Sequence, residues 1–151
     1  MAVTLKAIKA EQNRIAKMIA IFESQAAVDY RVPEVDIVLH PGEHYAGLVL
    51  DEEGNPQHHL ILLAGEAESI TWPNAQDWAA EQGGELPTRR EQALLYANPP
   101  SQFQKAWYWS SEQHKEDPSS AWSQNFGNGS QSTSLTSAEL RARAVRRLII
   151  D

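Results

Sequence analysis

The chain of 151 residues contains no cysteine. That absence excludes a disulfide framework, a thiolate zinc site and a cysteine nucleophile. Basic residues are also scarce, with 13 Lys and Arg against 20 Asp and Glu and a formal net charge of −7. A general nucleic-acid binder needs a broad basic field, so nucleic acid is not an expected partner. Long apolar runs are missing too. The longest, such as Leu60 to Ala64, fall far short of the roughly 20 residues that span a bilayer, so no membrane partner is expected. Lys6 and Lys9 begin like a signal peptide, but Glu11, Gln12, Asn13 and Arg14 interrupt the apolar positions after them, and no secretory signal is expected. A protein retained in the cytoplasm, or assembled there into a larger particle, is the simplest reading.

What is present has a clear order. Residues 3–25 read as an amphipathic helix, with Leu5, Ile8, Ile15, Met18, Ile19 and Phe22 on one face. Ile8, Ile15 and Phe22 are spaced by sevens, which permits a short coiled-coil seam between copies; packing on the chain's own domain is the alternative. Arg31-Val32-Pro33 breaks the helix, so residues 1–30 are read as an assembly segment and 31–151 as a domain. Strands are predicted at Val35–Leu39, Tyr45–Leu50 and His59–Leu63, the last two joined as a hairpin by the turn from Asp51 to Pro56. Thr71-Trp72-Pro73 opens a helix that Gly83-Gly84 ends. Thr88 with Glu91 makes a capping box for a second helix, stopped by Asn98-Pro99-Pro100. Short strands come next near Tyr108–Ser111, Trp122–Phe126 and Leu140–Ile150, with Asn128-Gly129 as a hairpin turn. The class is α+β: an N-terminal helix, then two helices flanking a twisted antiparallel sheet.

The motifs that suggest catalysis have plainer readings. His40 and His44 lie close in sequence with Glu43, but Pro41-Gly42 makes a turn between them and a third ligand is lacking, so no metal is expected. His58 and His59 are strand neighbours and point to opposite faces. Glu66, Glu68, Asp77, Glu81 and Glu85 read as a solvated acidic face, without two carboxylates at a fixed separation. Gly127-Asn128-Gly129 lies in a hairpin and is no phosphate loop. No serine sits in a nucleophile turn. Arg89 and Arg90 anchor a nearby loop or pair with Glu91. The run Arg141-Ala142-Arg143-Ala144-Val145-Arg146-Arg147 reads as one strand, with Arg141, Arg143, Val145 and Arg147 on one face. Its planar guanidinium groups are suited to holding loop carbonyls and carboxylates, and so to tying down the polar segment before it. No cofactor and no enzymatic activity are expected.

That polar segment is the most distinctive feature. From Ser119 to Ser137, 15 of 19 residues are Ser, Thr, Asn, Gln or Gly, and three of the five tryptophans (Trp107, Trp109 and Trp122) stand in or beside it. Rigid aromatics beside adaptable small polar groups are typical of binding faces. Trp109 and Trp122 are assigned to the core, and Trp107 to either the core or the ligand face.

Leu86-Pro87-Thr88 before a helix, Tyr108-Trp109-Ser110-Ser111, Ala121-Trp122 followed by Asn125-Phe126-Gly127-Asn128-Gly129, and the closing arginine run occur in an order that resembles the Lcl C-terminal-like domain family of bacterial and phage proteins. The resemblance covers roughly residues 45–150. It implies a C-type-lectin-like fold related to the formylglycine-generating enzymes and to retroelement-diversified binding proteins. The copper-holding cysteines of those enzymes are absent here, and Trp122-Ser123-Gln124-Asn125 only echoes the lectin calcium segment. By position, the diversified relatives' variable face corresponds to Trp122, Ser123, Gln124, Asn125, Gly127, Asn128, Ser130, Gln131, Ser132 and Ser134. With Trp107, these residues (Trp122 excepted) are the expected ligand-binding set. The expected function is a non-catalytic phage or prophage ligand-binding protein, in the virion or tail fibre, trimeric through its N-terminal helix and directed at a host surface receptor. The alternative is a cytoplasmic phage accessory protein that binds a host protein.

Overall fold

Thr4 caps the first helix, its hydroxyl oxygen accepting from the Ala7 amide at 3.1 Å. A computed structural model of the chain describes residues 4–25, 27–98 and 100–151. The chain divides into two units between Val32 and Pro33. In the first, α1 (Leu5–Ser24) carries an ion pair between Arg14 and Glu11, and none of its residues is buried. Ile8, Ile15 and Phe22 are all exposed.

The second unit is α+β. Its strands are β1 (His44–Leu50), β2 (Pro56–Leu62), β3 (Ala67–Ile70), β4 (Trp107–Gln113), β5 (Ser120–Asn125), β6 (Gln131–Leu135), β7 (Leu140–Ala142) and β8 (Val145–Ile149). Between β3 and β4 run α2 (Trp72–Glu81) and α3 (Arg89–Ala97), then a 3-10 turn at Pro100–Gln102. The strands make two sheets where the sequence suggested one. Three strands run β1-β2-β8 and five run β3-β7-β4-β5-β6. Pairing is antiparallel apart from a parallel bridge of β4 with β7 at Tyr108 and Arg141, so the larger sheet is mixed.

The β1–β2 turn is built as its composition requires. Asp51 Oδ1 accepts from the amides of Glu53 and Asn55, each at 2.9 Å, a side-chain mimic of a backbone turn. Two expectations fail nearby and at the C-terminus. Val35–Leu39 is not a strand: Val35, Val38 and Leu39 are exposed, and the Val38 carbonyl accepts from an arginine side chain, Arg146, at 2.8 Å. Its apolar alternation is real, but no strand among the described residues pairs with it. Likewise Leu140–Ile150 is two strands. The chain changes sheet at Arg143-Ala144, where the Leu63 amide donates to the Ala144 carbonyl at 2.9 Å. Ala142 to Val145 are consecutively buried, so two-residue alternation does not run through the segment.

Two buried clusters fill the interior. One joins Leu60, Leu62, Leu95, Tyr108 and Val145 with a stacked pair, Phe103 and Phe126, whose ring centres are 3.9 Å apart. The other gathers Leu63, Ala75, Ala79, Leu86, Ala121 and Trp109, whose indole N–H donates to the Ile70 carbonyl at 2.8 Å. Each large apolar side chain buried here contributes about 1.5–3 kcal/mol. Among the described residues, no helix is long and apolar enough to cross a membrane.

Candidate functional site

The polar segment folds as the β5–β6 hairpin. The Gly129 amide donates to the Asn125 carbonyl at 2.7 Å, and the Asn125 amide to the Ser130 carbonyl at 2.8 Å. Asn125 Oδ1 accepts from Gly127 N–H and Asn128 Oδ1 from Ser130 N–H. Gly129 sits at φ +81°, the left-handed region that the Asn-Gly pair supplies without strain. Gly127, Asn128, Ser130 and Ser132 are exposed along its tip and outer side.

A chain of amides moors this hairpin to α3. Gln92, buried on α3, donates to the Tyr108 and Trp109 carbonyls of β4 at 3.1 and 3.2 Å. Gln124 of β5 donates to the Gln92 carbonyl at 2.7 Å and accepts from Gln131 of β6 at 2.8 Å. Gln131 also donates to the Arg89 carbonyl, and Arg89 Nε donates back to Gln131 Oε1 at 3.0 Å. The Arg89 guanidinium lies 3.5 Å from the Trp122 ring centre, and His114 stacks near the same indole at 6.0 Å. Trp122 is therefore half-buried between a cation and an imidazole, not part of the core as expected. Trp109 is fully buried, as expected.

Beside the hairpin lies an open cleft of about 1050 Å³. Its walls come from β1 and β2 (Val49, Gln57, His58), β8 (Arg147, Ile149), the first turns of α3 (Thr88 to Glu91, Ala93), Glu112, and the hairpin (Gln124, Gly129, Gln131). The floor is organised by Glu91. Its carboxylate accepts from the Thr88 amide at 2.8 Å, closing the capping box, and from Arg147 Nε and Nη2 at 2.7 Å each. His58 Nε2 supplies the fourth bond at 2.8 Å. Burial pushes this carboxyl up, but the bonds from Arg147, Thr88 and His58 outweigh it and hold the pKa down at about 2. Arg147 also reaches Glu85 at 2.8 Å, and its own pKa is raised, chiefly by the hydrogen bonds to Glu91.

An ionised, acceptor-only Glu91 fixes the His58 tautomer. In the neutral imidazole the proton sits on Nε2, which leaves Nδ1 as a lone-pair acceptor on a residue that lines the cleft. Nδ1 has no hydrogen-bond partner among the described residues, and the ring is buried to nine-tenths. A carboxylate–imidazole pair suggests general-base chemistry. Here Arg147 neutralises the carboxylate, no serine is among the described residues that line the cleft, and its other carboxylate, Glu112, accepts from the Arg89 amide at 2.6 Å. The arrangement is suited to holding a ligand's donor.

The expected ligand set divides on this geometry. Gln124 and Gln131 line the cleft. Asn128, Ser130, Ser132 and Gly127 are displayed on the hairpin surface; Asn125 and Ser134 are half-buried there. Trp107 is half-buried on β4, opposite Asn125. Ser123 is a correction: it is fully buried, its hydroxyl donating to the Ser132 carbonyl at 3.2 Å, so it supports the hairpin from within. Gln124 has almost no exposed surface and acts mainly as a moor.

The closing arginines do hold carbonyls and carboxylates, but not those of the polar segment. Arg141 binds Glu66, Arg143 the Gln102 and Leu63 carbonyls, Arg146 Glu43, and Arg147 Glu91 and Glu85. Arg89, read as a loop anchor, is the residue that ties the segment down. His58 and His59 point to opposite faces, His59 Nδ1 pairing with the Tyr45 hydroxyl at 2.8 Å. His58, Arg90 and Arg147 were read from the sequence only singly and in other roles, and nothing there brought them together with Glu112 as a cleft. The one signal was Glu91, and its capping role accounted for it fully.

No family model and no curated protein matches the chain.

Proposed function

We propose that the chain is a non-catalytic ligand-binding protein of phage or prophage origin, a virion or tail-fibre component directed at a host surface receptor. In this reading residues 31–151 form a C-type-lectin-like domain. The path of the chain supports it: a hairpin, two helices, a polar three-strand meander, and a last strand that returns to pair with β2 beside the domain's start. The observation that carries the function is the β5–β6 hairpin, uncharged from Ala121 to Ala138 and moored through Gln124, Gln131 and Arg89 to a helix that walls an open cleft. Rigid anchoring of small polar groups lowers the entropy cost of using them for binding.

The exposed apolar residues of α1 support assembly of copies, taken here as a trimer, which would multiply a weak single-site affinity. Sedimentation of the full chain tests this against Ile8→Asp/Ile15→Asp. A wild-type trimer and a monomeric variant support it; the same mass for both removes it. Ligand class is tested by adsorption of the full chain to intact cells of the bacterium carrying the gene, beside capture from their cytoplasmic lysate. Saturable adsorption to intact cells supports the receptor reading. Capture of one cytoplasmic protein without adsorption replaces it with an accessory protein that acts on a host protein.

A further inference from the structure

The cleft has a composition that narrows its ligand. His58 Nδ1 is an acceptor without a partner among the described residues, on a ring otherwise buried. The Arg90 guanidinium donates to the Leu50 carbonyl at 2.9 Å and has no carboxylate partner among the described residues. Val49, Ala93 and Ile149 give an aliphatic wall, of which Ile149 is 62% exposed. Among the described residues, no Trp, Tyr or Phe lines the cleft. Trp122, the nearest candidate platform on the hairpin, is covered on its ring face by Arg89 at 3.5 Å.

We propose that the cleft takes a short peptide segment of a protein partner, an aliphatic residue next to an acidic one, anchored by its backbone on His58. This rests on the reading of the chain as a binding module and names the chemistry of its partner. A peptide N–H supplies the donor that His58 Nδ1 lacks. An aliphatic side chain buries against Val49, Ala93 and Ile149, and an acidic side chain receives the forked donors of Arg90. A sugar is disfavoured because, among the described residues, no aromatic side chain lines the cleft for its ring to stack on. The volume, at the upper end of small-ligand sites, admits several residues of chain.

The test is selection of a displayed random-peptide library on the full chain, then titration of the enriched peptides. The expected result is enrichment of adjacent aliphatic and acidic residues, with binding about tenfold weaker to Arg90→Gln and to His58→Phe. Arg90 is exposed, so that variant keeps the fold; near-ultraviolet circular dichroism checks the other. Changing the peptide's acid to its amide should abolish the difference between wild type and Arg90→Gln but keep the loss in His58→Phe. No enrichment, enrichment lacking the acidic residue, or wild-type affinity in both variants overturns the proposal. If the full chain still adsorbs to cells after any of those results, the binding reading stands and only this inference falls.

Discussion

Arg147 holds Glu91 through two parallel hydrogen bonds, Nε to Oε2 and Nη2 to Oε1, each 2.7 Å long. The pair joins the last strand of the chain to the first turn of α3, across 56 residues of sequence. Because the same carboxylate also fixes His58, one ion pair sets both the seam between β8 and α3 and the hydrogen-bonding character of the cleft.

Breaking that pair should cost far more than a surface ion pair. Glu91 is 1% exposed, and removing its charge leaves Arg147 with one exposed partner, Glu85. Glu91→Gln is expected to lower unfolding stability by about 3 kcal/mol. Arg147→Lys should lose more than about 1 kcal/mol, since an ammonium cannot reproduce the fork. Urea unfolding of both variants measures this, and losses below about 0.5 kcal/mol, the range of an exposed pair, would refute it.

Acid should act through the same carboxyl. Its pKa falls from the ordinary 4.5 to about 2 on folding, so the unfolded chain takes up the proton first. The stabilisation is complete above about pH 5 and is lost as pH falls toward 2, with a size of roughly 3 kcal/mol. Glu43, held below its ordinary range chiefly by Arg146, adds a loss of the same sign. Wild type and Glu91→Gln should therefore differ most at neutral pH and converge near pH 2. Parallel stability curves across that window would rule this out.

Much of the fold was legible because local chemistry agrees with it. Thr88 and Glu91 form the capping box, Asn128-Gly129 turns the hairpin, and Asp51 organises the β1–β2 turn. What misled was alternation without a partner. Val35–Leu39 has the pattern of a strand and no strand to pair with among the described residues, and the arginine run hides a change of sheet at Arg143. The cleft was illegible because its groups come together only in three dimensions: His58 and Glu91 are 33 residues apart, and Arg89 and Gln131 are 42.

Gly83-Gly84 shows the same division. Gly83, at φ +87°, ends α2 as its sequence position implies. Gly84 answers to a distant strand, since a Cβ there would lie 2.2 Å from the Val145 carbonyl oxygen. Gly84→Ala must push β8 away and break the bonds between Glu85 and Val145, which are 2.8 and 2.9 Å. A loss of about 2–3 kcal/mol is expected, by thermal or urea unfolding. An unchanged melting temperature would show that β8 yields freely.

Arg89 should govern the order of the hairpin. Arg89→Ala removes the stack on Trp122 and the Nε bond to Gln131, leaving the backbone-to-Gln131 bond in place. Global stability should fall by only about 1 kcal/mol. Amide exchange at residues 129–133 should quicken by about tenfold while that of β2 changes little. Uniform acceleration would mean that the hairpin is no separate unit.

In the proposed function, the moored hairpin surface is where the ligand binds. Adsorption of the full chain to intact cells probes this without intermediaries when set beside Asn128→Lys/Ser130→Glu, two exposed changes at the hairpin tip. Wild type should adsorb saturably and the variant at least about tenfold less, a difference of roughly 1.4 kcal/mol, with the melting temperature unchanged. Equal adsorption of the two proteins, or none by the wild type, would overturn the proposed function.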